Sequence, residues 1–344
     1  MIRDALAPNL LAWFDAHGRK DLPWQEPRTP YRVWLSEIML QQTQVATVVP
    51  YFLRFVEKFA SLAALAAAPL DDVLAAWSGL GYYSRARNLQ RAAQICVVEH
   101  GGELPRDFAA LSALPGIGRS TAGAILAQAH GMQFPILDGN VKRVLARVHG
   151  VRGWPGEAAV QKSLWTFADA HTPPERVADY TQAIMDLGAT LCTRAKPRCP
   201  QCPLSAQCVA SHENLTAQLP QRKPPRTLPV RKTLMLVLRD TSGRVLLERR
   251  PPTGVWAQLW SLPEADDLDA MRACHGDIEL LPLAPFVHTF SHYRLDVTPL
   301  AARVAEPAAI TDNPVRRWLH PADAARLGLP APVRKLIENL ESVA

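Results

Sequence analysis

Residues 114–118 read Leu-Pro-Gly-Ile-Gly, and residues 137–141 read Leu-Asp-Gly-Asn-Val. The first stretch lies between two runs with helical periodicity, 107–113 and 119–130, and its glycines allow backbone amides to approach a ligand closely. Amides at the start of a helix bind phosphate, although such a turn is by itself more often a plain helix connection. Asp138 stands just ahead of a helical run, where an aspartate can equally be an ordinary cap. The two stretches together are more specific than either one.

A second segment, 34–44, reads Trp-Leu-Ser-Glu-Ile-Met-Leu-Gln-Gln-Thr-Gln. Helical spacing would put Glu37 on one face with Gln41 and Gln44, at the edge of an apolar stripe. Apolar surroundings raise the pKa of a carboxyl, so Glu37 could be protonated near neutral pH and act as a general acid. The alternative is a solvated glutamate on an amphipathic helix. Acid-assisted bond cleavage uses such a proton donor together with a fixed carboxylate, a role that suits Asp138.

Four cysteines fall close together, with six, two and five residues between them: Cys192, Cys199, Cys202 and Cys208. Four thiolates at this spacing indicate a metal site, and they suit either zinc or an iron–sulfur cluster. The basic residues Arg194, Lys196 and Arg198 could face a phosphate backbone or simply be solvated. Cys96 and Cys274 stand apart, and we expect both to be small buried residues.

The 344-residue chain is long enough for two domains. We expect a helical domain at 1–212 and a proline-rich basic linker at 213–230. A second domain would follow at 231–344, with β-like runs at 233–238, 244–247 and 295–300 and helical stretches at 268–274 and 333–340. The expected fold is therefore multidomain, an all-α domain followed by an α+β domain.

The net charge of +6 favours an acidic partner such as nucleic acid, although a surplus this small is also common on other proteins. Residues 1–14 carry Arg3 and Asp4 in an amphipathic pattern, unlike an export signal, which has a basic start followed by a long apolar run and a cleavage site. No stretch approaches the roughly 18 apolar residues that cross a bilayer. We therefore expect a soluble cytoplasmic protein with no membrane partner, in a reducing compartment where clustered cysteines bind metal rather than form disulfides.

The glutamate segment, the hairpin followed by Asp138 and the cysteine spacing together resemble the MutY family of adenine DNA glycosylases, in the endonuclease III superfamily. The resemblance implies a helix-hairpin-helix domain whose four cysteines hold one 4Fe-4S cluster. It further implies that Glu37 protonates a nitrogen in the five-membered ring of adenine and that Asp138 stabilises the cationic sugar. Asn140 would support that site.

The same resemblance implies roles for further residues. DNA contacts would come from Gly116, Gly118 and Ser120 in and after the hairpin, and from Gln42 and Tyr82, which match residues that wedge into the duplex. A polar helix residue and a core aromatic are the ordinary alternatives for the last two. Residues that match the adenine pocket are Arg19, Trp24, Gln182 and Asp186. Ser120 stands where strand-cutting relatives have a lysine that forms a Schiff base, so we expect base removal without efficient strand cleavage; whether Lys142 supplies weak lyase activity is open.

The second domain resembles the Nudix-like C-terminal domain of MutY through residues 254–263 and the stretch Phe290-Ser291-His292-Tyr293. The Arg-Glu and Glu-Glu array that holds Mg²⁺ in a Nudix hydrolase is missing from the sequence. We therefore expect this domain to recognise the base opposite adenine, with Phe290, Ser291 and His292 nearest an 8-oxoguanine.

The sequence thus predicts a monofunctional glycosylase in base-excision repair, acting as a monomer on double-stranded DNA with adenine opposite 8-oxoguanine or guanine. One alternative is a pyrimidine-specific glycosylase and lyase of the endonuclease III type, which Ser120 and the additional domain disfavour. A second is an inactive DNA-binding or redox-sensing iron–sulfur protein, against which Glu37 and Asp138 argue. A third is a Nudix nucleotide hydrolase with an appended helical domain.

Overall fold

The computed structural model describes residues 6–225, 227–305, 314–324 and 326–341. The chain forms two compact units. The first holds the residues up to Ala67 together with Asn88–Pro225, and the second holds Ala68–Arg87 together with the residues after Pro225. Within the described residues, no helix is long and apolar enough to cross a membrane.

The part of the chain before residue 213 is helical, as predicted. Its α-helices, in chain order, are α1 Leu6–His17, α2 Pro30–Leu40, α3 Val45–Lys58, α4 Leu62–Ala67, α5 Leu70–Ala76, α6 Ser84–Glu99, α7 Phe108–Ala113, α8 Arg119–His130, α9 Gly139–Val148, α10 Ala158–His171, α11 Val177–Thr190 and α12 Val209–His212. Two short 3₁₀ turns, Cys199–Gln201 and Ser205–Gln207, lie among the cysteines.

Helix α2 ends earlier than the sequence pattern predicts. It begins at a Thr29 cap, whose hydroxyl accepts the Arg32 amide, and it stops at Leu40. Gln42 has a left-handed backbone (φ 61°), which a continuing α-helix cannot include. Gln44 is the residue before α3. The prediction that Gln44 shares a helical face with Glu37 is therefore wrong.

The core of the first unit packs α1, α9, α10 and α11 together through buried apolar side chains, including Leu10, Phe14, Val144, Leu145, Leu164, Ile184 and Leu187. Burial of each such side chain contributes about 1.5–3 kcal/mol. Two glycines allow close approach beside the predicted acids. A Cβ at Gly123 of α8 would lie 2.5 Å from the Pro135 carbonyl oxygen, and one at Gly188 of α11 would lie 2.6 Å from the Asn140 Cβ. The segment around Asp138 can therefore pack directly against α8 and α11.

The second unit is built on one mixed sheet, which agrees with the predicted α+β class. Its strands are β1 Val230–Arg239, β2 Val245–Arg249, β3 Trp260–Ser261, β4 Glu264–Ala265, β5 Leu281–Pro282, β6 Phe286–Thr289, β7 Arg294–Arg303 and β8 Arg316–Leu319. Helices α13 Leu268–His275, α14 Pro321–Ala324 and α15 Ala331–Glu341 accompany them. Strands β1 and β7 pair in parallel, from Val230 opposite Arg294 to Arg239 opposite Arg303.

Both faces of this sheet bury apolar side chains, one set with Val333 and Ile337 of α15 and the other with Met271 of α13. Cys96 is buried, as predicted. Cys274 is exposed, so the prediction that it is buried is wrong. The reason is that α13 buries only Met271, so the rest of its surface, Cys274 included, stays outside the core.

Residues 68–87 belong to the second unit through side-chain contacts with the C-terminal part of the chain. Arg249 pairs with Asp71. The Tyr83 hydroxyl donates to the Leu329 carbonyl (2.8 Å), and Arg87 donates to the Ala257 carbonyl (2.8 Å). The expected domains at 1–212 and 231–344 assigned residues 68–87 to the first domain. Those domain boundaries remain predictions.

Candidate active site

A cavity of about 950 Å³ in the first unit gathers residues from five separate parts of the chain. Eight of the predicted site residues line it: Arg19, Trp24, Glu37, Gln42, Ser120, Asp138, Asn140 and Gln182. Glu37 comes from α2, and Asp138 comes from the residue that caps α9. The fold therefore places the two predicted acids on one cavity although about a hundred residues separate them in sequence.

Glu37 is a half-buried carboxyl with one hydrogen-bond donor from a neighbouring helix. The Gln128 side-chain amide of α8 donates to its Oε1 at 2.9 Å. Burial raises the pKa of Glu37 to about 7; the Gln128 hydrogen bond opposes this shift and the nearby charge of Asp138 adds to it. A large fraction of Glu37 is thus neutral near pH 7 and able to donate a proton.

Asp138 is held on both of its carboxylate oxygens. Oδ1 accepts the Val141 amide at 2.8 Å, which caps α9, and Oδ2 accepts the Asn140 side-chain amide at 3.3 Å. Asp138 therefore both caps α9 and lines the cavity. Burial raises the pKa of Asp138, while the Val141 and Asn140 amides and the Arg143 guanidinium oppose that shift.

Ser120 supports the same segment from α8. Its hydroxyl oxygen accepts the Leu137 backbone amide at 2.9 Å, one residue before Asp138. Arg143 holds the other side, since its guanidinium donates to Asn140 Oδ1 at 2.8 Å and to the Gly188 carbonyl at 2.6 Å. The carboxylate is thus positioned by groups on three helices.

Three of the four residues predicted for the adenine pocket form one polar network. Asp186 is 1% exposed, and its Oδ1 accepts both the Arg19 guanidinium (2.6 Å) and the Gln182 amide (2.7 Å). Arg19 and Gln182 line the cavity, with Asp186 bonded behind them. Trp24 is buried at the cavity wall, with its ring 5.4 Å from that of Phe52. The network presents a guanidinium and an amide of defined orientation to the cavity.

The four clustered cysteines surround a separate small cavity in the first unit. No three of the described His, Cys, Asp or Glu side chains come close enough to enclose a single metal ion. Donors do point at the sulfurs: the Leu204 amide at Cys202, and the Ala210 and Ser211 amides at Cys208. Amides directed at sulfur stabilise thiolates, so this donor set fits a sulfur-ligated group that the four cysteines hold together.

Arg147 connects α9 to the cysteine loop and is only 2% exposed. Its guanidinium lies 3.3 Å from Cys192 Sγ and donates to the carbonyls of Thr193, Thr216 and Leu219 at 2.8–2.9 Å. The bonds to Thr216 and Leu219 attach the first part of the predicted linker to the helical unit.

The predicted hairpin is present between α7 and α8. Gly116 has φ 81°, a conformation that favours glycine, and a Cβ there would lie 3.1 Å from Asn88 Cβ. Gly116 and Gly118 are exposed in this turn and do not line the cavity. Arg119, the first residue of α8, packs its guanidinium over the Trp165 ring at 3.8 Å.

In the second unit, the predicted recognition residues occupy the loop between β6 and β7. Ser291 and His292 are exposed, and Phe290 is half-buried. The Phe290 ring lies 4.5 Å from His288, 5.4 Å from Trp256 and 4.8 Å from Tyr293. An aromatic cluster thus supports the loop. Tyr82 is also exposed, with a left-handed backbone (φ 49°), so the core-aromatic alternative for it is excluded.

Sequence reasoning missed several residues that hold these sites: Gln128, Arg143, Arg147, Trp256 and His288. One signal was present for Gln128, because it is the single polar residue in the buried run 122–128. For Arg143 and Arg147 the signal was weak, since basic residues on a helix are usually solvated. Trp256 contacts His288 and Phe290 from a separate segment, and sequence pattern does not show that contact.

Comparisons with known proteins agree with both units. Residues 35–170 match the family model described as HhH-GPD superfamily base excision DNA repair protein, and residues 234–339 match the NUDIX domain model. A solved thermostable thymine-DNA glycosylase resembles 62% of this chain over 97% of its own, with 26% identity and a TM-score of 0.55. This structural likeness covers a smaller share of the chain than the sequence relatives described next.

The adenine DNA glycosylase of Buchnera aphidicola subsp. Acyrthosiphon pisum (strain APS) is 36% identical over 344 residues, which cover 96% of each chain. The Homo sapiens adenine DNA glycosylase is also 36% identical, over 92% of this chain and 70% of the human one. The chain therefore belongs to the adenine DNA glycosylase family, the MutY family of helix-hairpin-helix base-excision repair proteins.

Proposed function

We propose that this chain hydrolyses the N-glycosidic bond of adenine in double-stranded DNA. The observation that carries the proposal is the pair of acids on one cavity, where burial raises the pKa of Glu37 to about 7. Hydrolysis of this bond needs a proton for the departing base and negative charge near the developing sugar cation. Family membership supports adenine as the base.

In this mechanism neutral Glu37 donates its proton to a ring nitrogen of adenine, and the electrons of the glycosidic bond move into the base. Asp138 stabilises the positive charge that remains on the sugar, while Asn140 and Arg143 hold the carboxylate in place. Water then adds to the sugar. Ser120 cannot form an imine, so the product is an abasic site in an unbroken strand.

The adenine pocket consists of the Arg19, Gln182 and Asp186 network together with Trp24. Asp186 neutralises the charge of Arg19 and orients the Gln182 amide, so that both can donate hydrogen bonds into the cavity. A buried site whose donors need partners rejects a base that does not supply them.

We propose that the substrate has 8-oxoguanine or guanine opposite the adenine. Phe290, Ser291 and His292 would contact that base, and the exposed Ser291 hydroxyl could bond the groups that oxidation adds to guanine. Gln42 and Tyr82 would enter the duplex as the adenine leaves the stack, since each is exposed on a left-handed backbone. The Gly116 to Ser120 turn would bind backbone phosphates.

We propose that Cys192, Cys199, Cys202 and Cys208 hold one 4Fe-4S cluster. The cluster would supply cross-links that order the loop from Cys192 to Cys208. Arg147 and the amides at the sulfurs would stabilise the thiolate ligands. Arg194, Lys196 and Arg198 would then be presented to the DNA backbone by an ordered loop.

The test is the Glu37→Gln variant in a single-turnover assay of free adenine released from a duplex with one adenine opposite 8-oxoguanine. We expect adenine release to fall by at least about 100-fold, because a glutamine amide cannot act as the acid. Binding of the mismatch should persist, since the variant keeps the size of the side chain. Full activity in this variant would refute the role of Glu37.

A further inference from the structure

Gln128 stands out in the buried part of α8. The run 122–128 reads Ala-Gly-Ala-Ile-Leu-Ala-Gln, all of it buried, and Gln128 is its one polar member, 5% exposed. Burial of an amide without a hydrogen-bond partner is unfavourable, so such a residue is expected to have a specific partner. Its side-chain nitrogen lies 2.9 Å from Oε1 of Glu37, on the neighbouring helix α2.

We propose that Gln128 is a positioning residue for the proton transfer: its amide occupies Oε1 of Glu37 and leaves Oε2 as the oxygen that carries the proton to the base. This inference rests on the proposed function. Gln128 does not line the cavity, so it would act on the reaction through Glu37.

The bond has two consequences for the acid. Because Oε1 accepts an amide hydrogen, the neutral carboxyl keeps its own hydrogen on Oε2, and the orientation of the O–H bond is defined. In the transfer, the Oε2–H bond breaks, an N–H bond forms on adenine, and the electron pair remains on the carboxylate. That carboxylate is stabilised by the same amide, so Gln128 makes Glu37 a stronger acid than burial alone would.

The other charges around Glu37 come from several elements and do not depend on Gln128. Asp138, just before α9, raises the pKa of Glu37. Arg143 of α9 and Arg19, which follows α1, line the same cavity, and the charge of Arg19 is paired with Asp186 of α11. Substitution of Gln128 leaves these groups unchanged, so a shift in the titration of Glu37 would report the lost amide.

The experiment compares the full-length, cluster-loaded protein with Gln128→Met, which keeps the length of the side chain but donates no hydrogen bond. We expect the alkaline limb of the single-turnover rate profile to move up by about one pH unit, since a hydrogen bond to a charged group stabilises the ionised form. At pH 6 we expect the rate to fall about 3- to 10-fold because the O–H bond loses its orientation. If Gln128 served only to stabilise the fold, its substitution would not shift the alkaline limb of the pH–rate profile.

Gln133→Met is the control. Gln133 also donates its side-chain amide to one acceptor, the Thr172 carbonyl (2.8 Å), but it is exposed and does not line the cavity that holds Glu37. Its loss should lower thermal stability without moving the pH limb. Gln128→Leu provides a second variant if the methionine variant does not fold.

A ¹³C NMR titration of Glu37 in the DNA-free protein, assigned by its loss in Glu37→Gln, separates this inference from the proposed function. A raised pKa in Gln128→Met supports the positioning role even if another base is the substrate. An unchanged pKa together with an unchanged rate profile would overturn it, as would an equal shift in Gln133→Met.

Discussion

Glu37 combines two properties that a solvated glutamate does not: it faces a cavity, and burial raises its pKa to about 7. The active form in the proposed reaction is the neutral one. We therefore predict a single-turnover rate that is high below pH 7 and falls about tenfold for each pH unit above the pKa of Glu37 in the complex. A rate that stays constant between pH 6 and pH 9 would contradict this assignment.

The same pKa shift predicts a change in stability with pH. The folded-state pKa of Glu37 lies above its ordinary value, so the native protein binds a proton more tightly than the unfolded chain does. The contribution of Glu37 is complete below its unfolded pKa and is lost as the pH rises through about 7. For the same reason Glu37→Gln should be more stable than the parent at pH 8 and nearly equal to it at pH 4, as thermal midpoints would show.

Sequence reasoning identified Glu37 and Asp138 as candidate acids because each lies in a segment that resembles a known family. Gln128 was not predicted, because its partner is 91 residues away and only the packing of α2 against α8 brings them together. Gln44 was assigned to the wrong element because periodicity alone does not show where a helix stops. The left-handed backbone of Gln42 determines that end.

Helix α9 is the element that joins the two sites of the helical unit. Asp138 caps its start, Arg143 bonds Asn140 and the Cys192 carbonyl (2.7 Å), and Arg147 reaches the Cys192 sulfur. The apolar periodicity predicted the helix and its buried face, but basic residues on a helix are usually solvated, so it did not predict that both arginines turn inward. Those arginines are partly or fully buried because carbonyl oxygens surround them.

Replacing Arg147 by methionine should disrupt the cysteine loop. The carbonyls of Thr193, Thr216 and Leu219 would lose their donor, and each buried acceptor without a partner costs about 1–3 kcal/mol. We predict a protein with less iron per chain and a lower visible absorbance from the proposed iron–sulfur cluster. The control is Arg152→Met, which replaces an exposed arginine shortly after Arg147 in the chain. Equal iron content in the two variants would contradict the role of Arg147.

The chain forms two units that are not continuous in sequence, because residues 68–87 belong to the second unit with the C-terminal residues. The proline-rich basic segment at 213–230 indicated a second domain, and the five strands and helices predicted for that domain lie close to their observed positions. The inclusion of residues 68–87 in it was not predictable, because contacts such as Tyr83 with Leu329 join residues 246 apart.

A chain that ends at residue 225 should therefore lose order at 68–87. Asp71, Ser78, Tyr83 and Arg87 would lose their partners in the C-terminal part of the chain. We predict that protease cleavage within 68–87, mapped by mass spectrometry, becomes faster than in the full-length protein. Full-length Tyr83→Phe, which lacks only one of these bonds, should remain resistant. Equal resistance of the truncated chain would show that this segment is ordered without the C-terminal residues.

The central claim is that the two-unit chain removes adenine and leaves the strand intact. Its most direct test is a single-turnover assay on a duplex with one adenine opposite 8-oxoguanine, analysed with and without alkali. We predict cleavage at the adenine only after alkali treatment, because Glu37 and Asp138 release the base and Ser120 forms no imine. Cleavage without alkali would contradict the monofunctional mechanism, and no cleavage under either condition would contradict the glycosylase assignment itself.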